Sequence, residues 1–252
     1  MAGRDEIVSF LDDLLSAGEW EDHGPNGLQV PGSNDVRLVV SGVSAHAELF
    51  AQAAAAGAQM VLVHHGLFWN GQPLALTPRL RDRLKLLFHA DQSLVAHHLP
   101  LDAHPEHGNN ALICAALGLE RAEPFGTHRG RTVGFVGRSA EGVVVADLVE
   151  RCSRAFAREP LVLGRGPATV RSVGIVSGGA ASSLGEAIAL GLDAFLTGEP
   201  SEPGMADAEE GGIHFLACGH YATETLGVRR LGNLVAKRFG IEHRFIEVRN
   251  PV

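Results

Sequence analysis

An α/β fold of two related domains is what this sequence predicts, and three observations carry the expectation. Short apolar strands alternate with amphipathic helices along the chain. Most strands stop in serine, glycine or histidine, as at Ser41-Gly42, His64-His65-Gly66, Ser177-Gly178-Gly179 and Cys218-Gly219-His220. The pattern of the first half then returns in the second. Open α/β sheets bind ligands outside the carboxyl ends of their strands, so those endings are where function is sought. The expected domains are residues 1–128 and 129–252, with the C-terminal segment able to pack back on the first.

Asp5 to Leu15 carries Ile7, Val8, Leu11, Leu14 and Leu15 on one face, a helix stopped near Gly18. Trp20 to Val30 is turn-rich, either plain connection or a loop whose Asn26 and Gln29 face a cleft. Val36 to Val40 is a short strand, and Glu48 to Ala58 an alanine-rich helix broken at Gly57. Met60 to Val63 is a buried strand that runs straight into His64 and His65. Consecutive strand residues point to opposite faces, so either the strand ends at His64 or the two rings reach separate atoms. Gly66 permits the sharp departure this needs.

A helix over Leu80 to Ala90 and a strand over Ser93 to Ala96 lead into His97-His98-Leu99-Pro100-Leu101-Asp102-Ala103-His104. A helix over Asn109 to Leu117 follows, and periodicity lapses from Arg121 to Arg129. Thr132 to Val136 starts a strand, Val143 to Phe156 is a helix and Leu161 to Leu163 a short strand. Val173 to Val176, Ala194 to Leu196 and Ile213 to Ala217 are strands, with a helix over Ser183 to Leu190 between the first two. Pro200 to Gly211 is an acidic loop or short helix; a long helix to Phe239 and a strand over His243 to Val248 close the chain.

With 252 residues, 45% of them apolar and 20% charged, the chain can bury a sizeable core. A formal charge of -8 argues against a broad nucleic-acid footprint. The one basic cluster, Arg79, Arg81, Arg83 and Lys85, dresses the solvated face of a helix. Cys114, Cys152 and Cys218 are far apart and read as buried small hydrophobes. No run of about 18 apolar residues is present, so no membrane-spanning helix is expected. No signal peptide is read at the N-terminus, which makes the cytoplasm the expected location.

The halves align as Ser41-Gly42, helix, strand, His64-His65 against Ser177-Gly178, helix, strand, Thr197-Gly198-Glu199. His98 precedes Asp102 by four residues, and His220 precedes Glu224 by four. On a helix that spacing shares one face, which suits His220 and Glu224. Pro100 forbids an ordinary helix start, so His98 and Asp102 are expected to converge through a turn.

The candidate metal ligands are His64, His65, His98, Asp102, His220 and Glu224, with His97, His104 and Glu199 nearby in sequence. Imidazoles with carboxylates suit zinc, iron, manganese, cobalt or nickel. Six donors are too many for one tetrahedral zinc and suit two metals about 3.5–4 Å apart. Taken singly, each pair also reads as ordinary structure: a surface ion pair, a capped turn, or histidines at a strand end. Gly178-Gly179 suits a phosphate cradle or simple close packing, and no nucleotide-binding glycine motif accompanies it.

Gly27-Leu28-Gln29, Ser41-Gly42-Val43, His64-His65-Gly66, His98-Leu99-Pro100-Leu101-Asp102 with Asn109-Asn110, Thr197-Gly198-Glu199 and Gly219-His220-Tyr221-Ala222-Thr223-Glu224 span the whole chain. In these segments the sequence resembles the NIF3-like dinuclear metal-centre family, also called GTP cyclohydrolase 1 type 2 homologues, in its short bacterial form. The resemblance implies two α/β domains facing each other across a cleft with two divalent metal ions per subunit. They would be held by His64, His65, His98, Asp102, His220 and Glu224. It also implies a ring-like homohexamer. Glu199 would line the site, and Glu199 or His97, if free of metal, would shuttle protons as the catalytic residue. Pro25 before Asn26 departs from the family, and so does His97 before His98, which is left as a donor to a ligand.

The activity expected is metal-dependent hydrolysis of a small nucleotide or related metabolite, in the manner of a GTP cyclohydrolase. The alternative is a non-catalytic metal-binding, storage or scaffold protein.

Overall fold

Ile7, Leu11 and Leu15 are buried along one side of α1 (Arg4–Leu15), which follows the two-residue strand β1 (Ala2–Gly3). Ser16, in the left-handed conformation, ends this helix, two residues before the expected stop at Gly18. The turn-rich stretch that follows contains a strand the periodicity did not show, β2 (Gly27–Val30). Next come β3 (Asp35–Val36), β4 (Leu38–Ser44), α2 (Ala47–Ala55), β5 (Met60–His65), α3 (Pro78–His89) and β6 (Ser93–Ala96). Thr77 caps α3 by accepting the Leu80 N–H, and Pro78 sits in the first turn, where its missing N–H costs nothing.

The computed structural model describes residues 1–252. It divides the chain into Met1–Leu101 with Gly227–Arg249, and Asp102–Leu226 with Asn250–Val252. The first change of unit therefore falls at residue 102, earlier than the sequence reading placed it, and Asp102 belongs with the second unit. The reason is apolar: Ala111, Ile113, Cys114 and Leu117 share a core with Phe135, Leu148, Val173 and Leu196.

A single helical turn, α4 (Leu99–Ala103), stands where a non-helical turn was expected. Pro100 lies in the first turn of this helix, where proline is tolerated, and the Leu101 N–H bonds the His98 carbonyl. The second unit then builds α5 (Asn109–Ala116), β7 (Glu120–His128), β8 (Arg131–Val144), α6 (Val145–Phe156), β9 (Leu161–Leu163) and β10 (Thr169–Ile175). It continues with α7 (Leu184–Ala189), β11 (Ala194–Thr197), α8 (Gly204–Gly211), β12 (His214–Ala217) and a second one-turn helix, α9 (His220–Thr223). β7 occupies the stretch where periodicity lapses; it is the mostly exposed outer strand of a hairpin with β8, so it needs no apolar alternation.

The sheet of this unit has the order β7-β8-β10-β11-β12-β9, with β10, β11 and β12 parallel. The last elements, α10 (Thr225–Phe239) and β13 (Glu242–Phe245), complete the first unit. Its sheet runs β13-β4-β5-β6-β2, with only β2 antiparallel to its neighbour. Each unit thus holds a parallel triple whose third strand leads into candidate ligands, while the second leads to His64 and His65 in the first unit and to Glu199 in the second. In both, the third strand is flanked by an antiparallel strand and followed by one turn of helix.

Candidate metal centre

In the first unit, β5 carries both His64 and His65, and the strand continues through the pairing of His65 with Ser44. His64 is fully buried, and its Nδ1 donates to the His97 carbonyl at 3.0 Å. His65 Nδ1 lies 3.1 Å from Ser44 Oγ. His98 Nδ1 donates to Asp22 Oδ1 at 2.7 Å. A carbonyl or carboxylate only accepts, so His64 and His98 hold their proton on Nδ1 and present Nε2 as a lone pair. One ligand atom from each of His64, His65 and His98 lies within 4.8 Å of the other two.

Trp69 walls this triad, its ring centroid 5.2 Å from that of His98 and its indole N–H bonded to the Gly66 carbonyl. Gly66 serves the site through space: a Cβ there would meet the Gln29 amide at 2.2 Å. Gln29 in turn accepts the Leu67 N–H and donates to the Pro25 carbonyl.

His97 turns its ring away to another partner, with Nε2 2.8 Å from Asp12 Oδ1 on α1. Its contribution to the triad is the carbonyl that orients His64.

In the second unit, Asp102, His220 and Glu224 gather at the end of β10. Asp102 is buried, and its Oδ1 accepts from Asn109 Nδ2 at 2.8 Å and Ser177 Oγ at 3.0 Å. Asn110 accepts the Ser177 N–H and donates to the Val133 carbonyl, so it pins α5 to the same strand end. A carboxylate oxygen of Asp102 lies within 4.8 Å of one of Glu224. His220 Nε2 is 3.2 Å from Glu224 Oε1, while its Nδ1 bonds Glu199. Burial would lower the His220 pKa, but its bonds to Glu224 and Glu199 outweigh that and raise it to about 9. His220 Nε2 would have to give up that proton to hold a metal ion. Glu199 is thus the carboxylate behind a candidate ligand, with its side chain 42% exposed. His104 folds into a turn, its Nδ1 accepting the Glu106 and His107 N–H groups.

The donor chemistry fits the ions expected. Three imidazoles in the first unit, and one imidazole with two carboxylates in the second, are donor types that suit divalent first-row metals, and each histidine has its Nδ1 bonded to an oxygen. The sequence names these six residues as candidates but does not point to their partners Asp22, Ser44 and Ser177. Asp22 had one local signal, its place at the head of the Asp22-His23-Gly24-Pro25-Asn26 turn.

No helix is long and apolar enough to cross a membrane. The family profile described as Duf34/NIF3 (NGG1p interacting factor 3) matches residues 2–251. A GTP cyclohydrolase 1 type 2 homolog of Pseudomonas aeruginosa is 44% identical over 245 residues, 97% of each chain. The solved structure of protein ybgI, of unknown function, is 37% identical with a TM-score of 0.94, covering 99% of this chain and 100% of that one. TTHA1606 from Thermus thermophilus is 32% identical with a TM-score of 0.90, at 99% and 100% coverage. With a match across nearly its whole length, the chain belongs to the Duf34/NIF3 family.

Proposed function

We propose that His64, His65, His98, Asp102, His220 and Glu224 are the ligands of two divalent ions, and that the protein is a metal-dependent hydrolase of a small nucleotide or related phosphorylated metabolite. The observation that carries this reading is the shared use of Nδ1. The four histidines bond that atom to the His97 carbonyl, Ser44, Asp22 and Glu199. Such anchoring is the mark of rings held to ligate rather than to fill a core.

Bound there, the two ions would supply Lewis acidity and an activated water. The chain's own residues do the rest. Trp69 walls the histidine triad on one side. A cavity of about 660 Å³ opens in the first unit against Asp12, Asp13, Trp20 and Asn26, a volume that suits a small metabolite. Glu199, half-exposed and bonded to His220, is the side chain best placed to take up a proton, ahead of His97, whose ring is committed to Asp12. The relatives' name, GTP cyclohydrolase 1 type 2 homolog, supports screening purine nucleotides first. Assembly as a ring-like hexamer in the cytoplasm belongs to the same proposal.

The test is made on untagged protein: bound metal is quantified, and nucleotides are screened for release of formate or phosphate with and without chelator. Two metals per chain with chelator-sensitive release supports the hydrolase. Two metals with no turnover favours the storage or scaffold role, and absence of metal affinity sinks the centre itself.

A further inference from the structure

We infer that Asp22 is the positioning residue of the first unit's histidine triad: it sets the ring and tautomer of His98 and ties that ligand to the loop lining the neighbouring cavity. The inference deepens the proposed function and rests on His98 being a ligand.

Asp22 is 6% exposed and lies on a loop with no regular backbone partners, where a lone buried carboxylate would be costly. All of that cost is met by four hydrogen bonds. Oδ1 accepts from His98 Nδ1 at 2.7 Å and the His23 N–H at 2.6 Å; Oδ2 accepts from Asn26 Nδ2 at 3.0 Å and the Leu99 N–H at 2.9 Å. Asn26 closes the circuit, its Oδ1 accepting the His98 N–H at 2.8 Å. Ring, main chain and loop at His98 are therefore one network, organised by a single acceptor-only group.

Two consequences follow. Because the carboxylate cannot donate, the His98 proton stays on Nδ1 and Nε2 stays a lone pair. Within the triad the Nδ1 of His64 leans on a carbonyl and that of His65 on a hydroxyl, whereas that of His98 has the Asp22 carboxylate behind it. The second consequence is mechanical. Gly24, Pro25 and Asn26 line both the 660 Å³ cavity and a smaller recess bordered by His64, His98 and Trp69. With an ion held at His98 Nε2, the Nδ1–H bond to Asp22 would strengthen and the loop that shapes the larger cavity would stiffen.

The test uses the full chain freed of metal and titrated with Co²⁺. Asp22→Asn is compared with Asn70→Ala, which loosens the same loop by removing the Asn70 Nδ2 bond to the Asp22 carbonyl but keeps the carboxylate behind His98. The expected result is a 10–100-fold weaker Co²⁺ affinity and an altered Co²⁺ absorption band for Asp22→Asn. Asn70→Ala stays within about threefold of wild type, on the same reasoning that it spares the ring's carboxylate. Hydrogen exchange of residues 22–27 should slow on Co²⁺ addition in the wild type and not in Asp22→Asn. Equal losses in both variants would reduce Asp22 to a loop-stabilising residue and overturn the inference, as would unchanged affinity in Asp22→Asn.

A measurement on the wild type stands apart from whether Asp22→Asn folds and whether the protein takes up metal. The ¹⁵N shifts of His98 in the metal-free protein at pH 8 should report protonated Nδ1 and bare Nε2. The reverse tautomer refutes the role of Asp22 directly. If Co²⁺ fails to bind the wild type while the Nδ1–H tautomer is found, the metal reading falls and the Asp22–His98 orientation stands.

Discussion

Gly178 and Glu224 are so close that a Cβ on the glycine would lie 2.4 Å from Glu224 Oε1. Gly178 also has φ of +67°, a left-handed conformation that other residues adopt at a cost. Its N–H bonds Thr223 Oγ1, which fixes the strand end against the ligand turn. The Gly-Gly pair after β10 thus serves close packing against a carboxylate. Gly178→Ala should destabilise the protein by about 1–3 kcal/mol and lower its metal content. Chemical denaturation and metal analysis of the same preparation check both; unchanged metal content would show that Glu224 tolerates displacement.

His65→Ala and Glu224→Ala should each bring bound metal below two ions per chain while leaving the fold intact. His65 is half-buried at a strand end and Glu224 closes one turn of helix, so neither substitution removes a core hydrophobe. Metal quantification alongside circular dichroism reads both parts. Full metal content in both variants would remove them from the ligand set.

Cys218 precedes the ligand turn by two residues but is fully buried among Leu216, Cys152 and Phe156. Its neighbour Cys152 and its burial together push the thiol well above its ordinary pKa, the opposite of what a thiolate ligand needs. Cys218→Ala should keep full metal content at a stability cost of about 1 kcal/mol. Loss of an ion would reveal a sulfur ligand.

His243 carries the pH dependence outside the ligand set. Its ring packs against Gly232 on α10 and bonds Ser41 Oγ and Asn233 Oδ1. Burial, and secondarily the charge of Arg229, lower its pKa to about 4. Above pH 6.5 neither folded nor unfolded chain protonates this ring, and its contribution is fully present. As pH falls from about 6.5 to about 4 the unfolded chain takes up a proton the folded one refuses, so stability falls. Denaturant melts between pH 4 and 7 should show a shallower decline for His243→Gln than for wild type, by at most about 1.4 kcal/mol per pH unit. Parallel profiles would show that the ring titrates normally in the fold.

What the sequence determined by itself is local. The strand that ends in His64-His65, the one-faced helix α1, and the paired spacings of His98 with Asp102 and His220 with Glu224 are properties of a few consecutive residues. Hydrophobic periodicity and residue chemistry are enough to read them. What tertiary structure alone decided is which oxygen each histidine leans on. Asp22 reaches His98 across 76 positions of chain and Asp12 reaches His97 across 85. Neither pairing leaves a periodic trace, because it joins a helix or loop near the N-terminus to the residues just after β6 and not neighbours on one element. The exposed strand β7 escaped for a related reason: its order comes from the ladder with β8, not from a buried face. Pro100 shows the same division on a smaller scale. Its residue type disfavours a helix interior, and only the packed chain decides that it sits in a first turn, where the lost N–H has no partner to miss.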